Sequence, residues 1–170
     1  MFCKVEGRLL PAQLFVSKPG RLSCKNIIHA VGPRWKGGHQ KEEDTLCQTI
    51  TNVLMEACHR FFTTVAIPAI STGIFDFPLQ KATDIILSTA AEFLRSNETS
   101  LREVHIVDTD QQVISMFEKK LRDIDHNLAQ HEAGASRLRH EAPLDHGKDD
   151  QYQGENINVF RELLCIIFLN

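Results

Sequence analysis

The sequence predicts a layered α/β domain, and three observations carry that prediction. Short β-rich apolar runs alternate with longer segments of helical periodicity, the order that produces a sheet covered by helices. One of these runs, at residues 65–70, is nearly continuous in Val65, Ala66, Ile67, Ala69 and Ile70, as suits a strand buried on both faces. With 170 residues, 42% of them hydrophobic, the chain is long enough for one domain with a real core and some additional sequence.

Residues 1–20 are interrupted by Gly7, Pro11, Pro19 and Gly20, which leaves Leu14, Phe15 and Val16 as a short strand. Residues 25–31 (KNIIHAV) form a β-rich run that ends at Gly32 and Pro33, and are expected to be a central strand. His29 within it is expected to be a core residue with a hydrogen-bonded ring. A polar loop at 35–41 follows. Glu42, Glu43 and Asp44 then place acids where a helix macrodipole favours them. Leu46, Ile50, Val53, Leu54, Ala57, Cys58 and Phe61 recur at helical spacing, which predicts a covering helix over about 43–61. Strand, helix, strand within one crossover length implies parallel pairing of the strands carrying His29 and Ile67. Pro68 counts against an unbroken strand over 65–70, because it cannot donate to a ladder.

Ala82, Ile85, Ile86, Thr89, Ala90, Phe93 and Leu94 mark a second helix over 79–95. Residues 104–107 read as a third strand and 111–124 as a third helix, with Val113, Ile114, Phe117 and Leu121 on its apolar face. From His126 the composition shifts to charge, histidine, glycine and alanine, with Pro143 and Gly147 as breakers. Residues 126–154 are therefore expected to be a flexible linker. Residues 155–170 end in an apolar run open to three readings: a docking helix, a displaced strand, or an accidental terminus.

Composition narrows the function classes. A formal net charge of −3 argues against bulk electrostatic binding of nucleic acid. The five cysteines include no C-x-x-C pair, which reads as reduced, mostly buried thiols. The eight histidines fall at no metal-ligand spacing, so no metal site is expected. No apolar run reaches the length of a membrane span, and Lys4, Glu6 and Arg8 interrupt any secretory signal. A soluble intracellular protein without a membrane partner is the expectation.

The chemistry concentrates where the 65–70 run meets Ser71, Thr72, Gly73, Ile74, Phe75 and Asp76, ahead of Phe77, Pro78 and the next helix. Strand, small-residue turn, helix points backbone N–H groups at an anion, and glycine lets the backbone approach closely. The plainer alternative is an ordinary turn punctuated by Gly73. Phe75 and Phe77 suit either stacking on a sugar or base, or packing in the core.

Taken together, GRLSCKNIIHAVGPRW (20–35), the helix over 45–60 and VAIPAISTGIFDFP (65–78) with its following helix and strand closely resemble the macrodomain family. The details look most like the macrodomains of the macro-type poly(ADP-ribose) polymerases, including the B-aggressive-lymphoma subgroup, and the resemblance covers about residues 15–124. It implies a three-layer α/β/α fold, here incomplete at the N-terminal strands, with residues 1–125 as a partial macrodomain. The implied ligand is ADP-ribose, without any cofactor or metal. Ser71, Thr72, Gly73, Ile74 and Phe75 match the family loop whose amides hold the pyrophosphate, with Phe75 against the distal ribose. Val107 and Asp108 match the strand end beside the adenosine. Asp76 departs from the small residue usual in the family, and a carboxylate near a diphosphate opposes binding.

The V-N-A-A-N and G-G-G-G-V motifs of the family are missing from this sequence, which implies a weakened binding module and a truncated isoform. No catalytic residue is assigned. An interaction fragment and an ADP-ribosyl hydrolase are the alternative functions. Expected partners are ADP-ribose or ADP-ribosylated proteins, or a protein docking on an exposed sheet edge or on the apolar C-terminal segment. Nucleus and cytoplasm are the expected compartments.

Overall fold

The computed structural model describes the backbone of residues 8–96, 98–140 and 164–168. Its elements are β1 (Leu14–Ser17), β2 (Ile27–Ala30), α1 (Glu42–His59), β3 (Thr64–Ile67), α2 (Leu79–Ser96), β4 (Glu103–Asp108), α3 (Gln111–His140) and β5 (Leu164–Phe168). β1 and β2 form an antiparallel pair, and β3, β4 and β5 form a parallel sheet in that order.

The helices form where apolar spacing demands them. Leu46, Ile50, Val53, Leu54 and Ala57 lie on one face of α1 and are buried. They pack with Ala82, Ile86, Leu87 and Ala90 of α2, Ile67 of β3, Val104 and Ile106 of β4 and Phe117 of α3 in one core. Each large aliphatic or aromatic side chain so buried contributes about 1.5–3 kcal/mol. Thr49 and Thr83 sit inside this core with their hydroxyls returned to the carbonyls of Thr45 (2.7 Å) and Leu79 (2.9 Å), so neither leaves a polar group unpaired. Among the described residues the helices form one layer, α1 beside α2 and α2 beside α3. Val104 and Ile106 face that layer, while His105 and Val107 alternate to the opposite, half-buried face of β4.

Five expectations change, one of them the mostly buried thiols: among the described residues Cys24 and Cys47 are exposed and Cys58 is half-buried. The parallel pairing of the His29 and Ile67 strands is not formed: β2 pairs with β1, and β3 with β4. A crossover helix fixes the hand and direction of the next strand but not its adjacency. Here β2 and β3 instead border a groove of about 610 Å³. β3 stops at Ile67 rather than Ile70, because Pro68 offers no N–H to continue the ladder. His29 is exposed rather than in the core, although its ring is hydrogen-bonded, Nε2 lying 2.9 Å from Ser17 Oγ. Finally, α3 runs sixteen residues past Ile124 to His140, so residues 126–140 are helix rather than linker. Their Leu, Ala, Gln, Glu and Arg content favours helix, and no proline falls before Pro143.

Of the remaining linker expectation, residues 141–154 lie outside the described residues. Of the three readings of the apolar C-terminal run, the strand holds: β5 pairs in parallel with β4, Val104 against Leu164 through Asp108 against Phe168. Residues 155–163 and 169–170 lie outside the described residues.

Candidate functional site

The ends of β3 and β4 point the same way in the parallel sheet, and the loop leaving β3 stands at that C-terminal edge, where open α/β sheets bind ligands. After Pro68 the chain winds through short turns. Ile70 N–H donates to Pro68 O (2.7 Å), Thr72 N–H to Ala69 O (3.3 Å), Asp76 N–H to Gly73 O (2.9 Å) and Phe77 N–H to Ser71 O (3.1 Å). Ser71 (φ 70°) and Asp76 (φ 54°) both adopt the left-handed conformation, which non-glycine residues enter at a cost and which concentrates at binding sites.

Among the described residues these turns leave the N–H groups of Gly73, Ile74 and Phe75 without a protein acceptor. Three consecutive donors at one turn are the kind of group that can hold an anion. A Cβ built on Gly73 would meet nothing within 4 Å, so the space beside Gly73 is open. Ile74 at the tip is 88% exposed. α2 begins three residues beyond Asp76 and has no acidic residue in its first turn, so its positive N-terminal end is not offset by its own side chains.

Three residues outside the loop hold it in shape. Trp35 N–H donates to Phe75 O (2.8 Å), and its indole meets the buried Phe77 ring edge-on at 4.8 Å. Phe77 is therefore core, and Phe75 is half-buried beside it. Gly32 lies directly against Ser71: a Cβ there would overlap Ser71 Oγ and come within 2.6 Å of Ile70 Cγ2. The Ser71 hydroxyl is itself buried and has no partner among the described residues.

Glu42, 3% exposed, accepts from the N–H groups of Lys36 (3.0 Å), Gly38 (3.2 Å) and Gln40 (2.5 Å), and so organises the loop that carries Trp35. Burial pushes its pKa up, but backbone donors at Glu42, Gln40, Lys36 and Gly38 outweigh that, and the carboxyl lies below its ordinary 4.5.

The expected site residues Ser71 to Asp76 thus share one loop. Val107 and Asp108 stand at the end of β4, where they pair in register with Ile167 and Phe168. Asp108 accepts from Asp110 N–H (2.9 Å) and makes no hydrogen bond to the loop. Gly32, Trp35 and Glu42 were not picked out from the sequence as site residues. Gly32 read as a strand end and Glu42 as a dipole partner, and only the fold shows what each one touches.

Comparison with known proteins agrees with this geometry. The model of the Macro domain family matches residues 2–86. The human protein mono-ADP-ribosyltransferase PARP14 is 32% identical over 124 residues, 71% of this chain and 7% of that protein. The O-acetyl-ADP-ribose deacetylase of Cronobacter turicensis is 32% identical over 127 residues, 72% of each chain. A Thermotoga maritima protein is 35% identical, with 19% of its length covered. Among solved structures, the Oceanobacillus iheyensis macrodomain with ADP superposes with a TM-score of 0.65 at 27% identity, over 70% of this chain and 62% of that one. A variant of the same macrodomain was solved with ADPR, and matches with a TM-score of 0.64 at 28% identity. Fold, family model and a relative matched over most of its own length lead to one conclusion: the chain belongs to the macrodomain family.

Proposed function

We propose that the chain binds ADP-ribose, free or attached to proteins, and that the loop from Ser71 to Asp76 holds the diphosphate through the amides of Gly73, Ile74 and Phe75. The observation that carries this reading is the run of three donors that have no acceptor among the described residues, with open space beside Gly73. The solved relatives with ADP and ADPR support the ligand class. Phe75 would lie against the distal ribose, and Val107 and Asp108 beside the adenosine. Asp76, exposed at the end of the loop, opposes a diphosphate by like charge and lowers the affinity.

Binding is preferred to hydrolysis of ADP-ribosyl bonds because the donors for binding are on hand. Of the six loop residues only Asp76 is a carboxylate able to serve as a base. The deacetylase names of several relatives keep hydrolysis as the second reading. Calorimetric titration of the full chain with ADP-ribose, ADP, AMP and adenosine tests the proposal. ADP-ribose and ADP should bind, with affinity that falls as salt rises, and adenosine should not. Equal binding of adenosine and ADP would overturn it.

A further inference from the structure

Residues 34–41 form a loop fastened to the candidate site at Phe75. Trp35 N–H donates to Phe75 O. Arg34 and Lys36, on either side of Trp35, are exposed, as are His39 and Lys41. The segment carries no carboxylate, and among the described residues Arg34, Lys36 and Lys41 enter no ion pair. The acids that follow are mostly engaged. Glu42 is buried and turned onto three loop amides, and Glu43 takes Lys81 at 2.5 Å. With exposed Asp44 and Asp76 both set against the three cations, the surface here keeps a positive surplus in a chain of net charge −3.

The shape of the loop is set before any partner arrives. The Glu42 contacts gather its backbone, and Gly37 (φ 94°), Gly38 (φ 84°) and Lys41 (φ 58°) supply the left-handed turns. Cations presented from a fixed backbone lose less freedom on binding than cations on a mobile one.

The kind of partner follows from what the loop lacks. A nucleic acid strand needs aromatic faces on which bases stack, besides charge. Trp35 is the one Phe, Tyr or Trp residue of 34–41, and its ring is engaged. Phe77 meets it at 4.8 Å, Lys81 Nζ stands 5.9 Å from its centre, and a Cβ on Gly38 would fall 3.0 Å from Cη2. What remains is two ammonium groups and a forked guanidinium, which carboxylates satisfy.

We propose that residues 34–41 read the carrier of the ADP-ribose: an acidic polypeptide segment flanking the modified side chain, its carboxylates held by Arg34, Lys36 and Lys41. This rests on the proposed function, in which Phe75 lies against the distal ribose, the sugar through which ADP-ribose is joined to a protein. The loop amides then select the ADP-ribose, and the basic loop selects where it is attached.

The test uses the full 170-residue chain and two peptides bearing ADP-ribose on one central serine, the first flanked by glutamates and the second by glutamines, with free ADP-ribose alongside. At low salt the glutamate peptide should bind about tenfold more tightly than the glutamine one, from three exposed ion pairs. The gap should close in about 1 M salt. Arg34→Gln, Lys36→Gln and Lys41→Gln together should erase the gap while free ADP-ribose binds as before. Lys18→Gln, Arg21→Gln and Lys25→Gln together, an equal charge change on exposed residues between β1 and β2, should preserve it. The wild-type comparison stands by itself should a variant melt early. Equal affinity for the two peptides overturns this proposal and leaves the proposed function standing, whereas no binding of ADP-ribose in any form overturns both. An equal loss for free ADP-ribose and both peptides in the Arg34 triple variant would put the cations on the diphosphate instead. Displacement of the glutamate peptide by a short oligothymidylate would assign the loop to nucleic acid.

Discussion

Gly73→Val adds three carbons to the loop at a point where the structure leaves room for them. No heavy atom lies within 4 Å of the added Cβ, and the backbone at Gly73 is outside the left-handed region. The fold therefore has no clash to relieve. Restricting the unfolded chain at this position should stabilise the protein by about 0.4–1 kcal/mol. The same carbons occupy the space a diphosphate needs in order to reach the amides of Gly73 and its neighbours. Charge-assisted hydrogen bonds contribute about 1.5–3 kcal/mol each. Losing two of them weakens binding by roughly 3–6 kcal/mol, about two to four factors of ten. Calorimetry with ADP-ribose and thermal melting of the same sample should therefore move in opposite directions, with binding lost and the melting temperature unchanged or raised. An affinity equal to that of the wild type would show that the diphosphate lies elsewhere, whatever the melting curve does.

Asp76 combines a left-handed backbone with an unwanted charge, and two variants separate these. Asp76→Gly should stabilise by about 1 kcal/mol and tighten ADP-ribose, whereas Asp76→Asn should tighten binding with little change in melting; equal affinity in both variants and wild type would remove the carboxylate from the site. Gly32→Ala should cost about 1–3 kcal/mol by overpacking and weaken ADP-ribose by displacing Ser71. Adding Ser71→Gly should recover part of both, and additive losses in that double mutant would refute the contact. Glu42→Gln leaves one carbonyl oxygen for the Lys36 and Gly38 amides and turns an NH2 group toward the Gln40 amide. The folded carboxyl is held below 4.5, so its contribution is complete above the unfolded value and disappears as pH falls through the folded one. Denaturant melts across acid and neutral pH should show the wild type ahead at neutral pH and the gap closing toward acid. A gap that widens on acidification would reverse the assignment.

Local periodicity made the helices and the loop legible in the sequence. The apolar positions of α1 and α2 repeat at a spacing only a helix satisfies, and Pro68 correctly warned that the strand was ending. The neighbours of β2 were not legible, because a four-residue apolar run carries no record of which edge pairs with it. The extent of α3 was missed because charge and alanine content was read as disorder, when the same residues are good helix formers. Gly32 and Glu42 were opaque for another reason. Their importance depends on Ser71 approaching from thirty-nine residues away and on three amides converging, and spacing along the chain encodes neither.

Trp35 is the only tryptophan in the chain, and it sits where the loop is fastened, its amide on Phe75 and its ring against Phe77 with Lys81 Nζ 5.9 Å from its centre. The protein thus carries one indole fluorophore, placed within a residue or two of the candidate donors. Selective excitation of that indole gives an optical signal from this corner of the molecule alone. Its emission colour and quenching by a soluble halide register any rearrangement of the loop without a label and on the timescale of mixing.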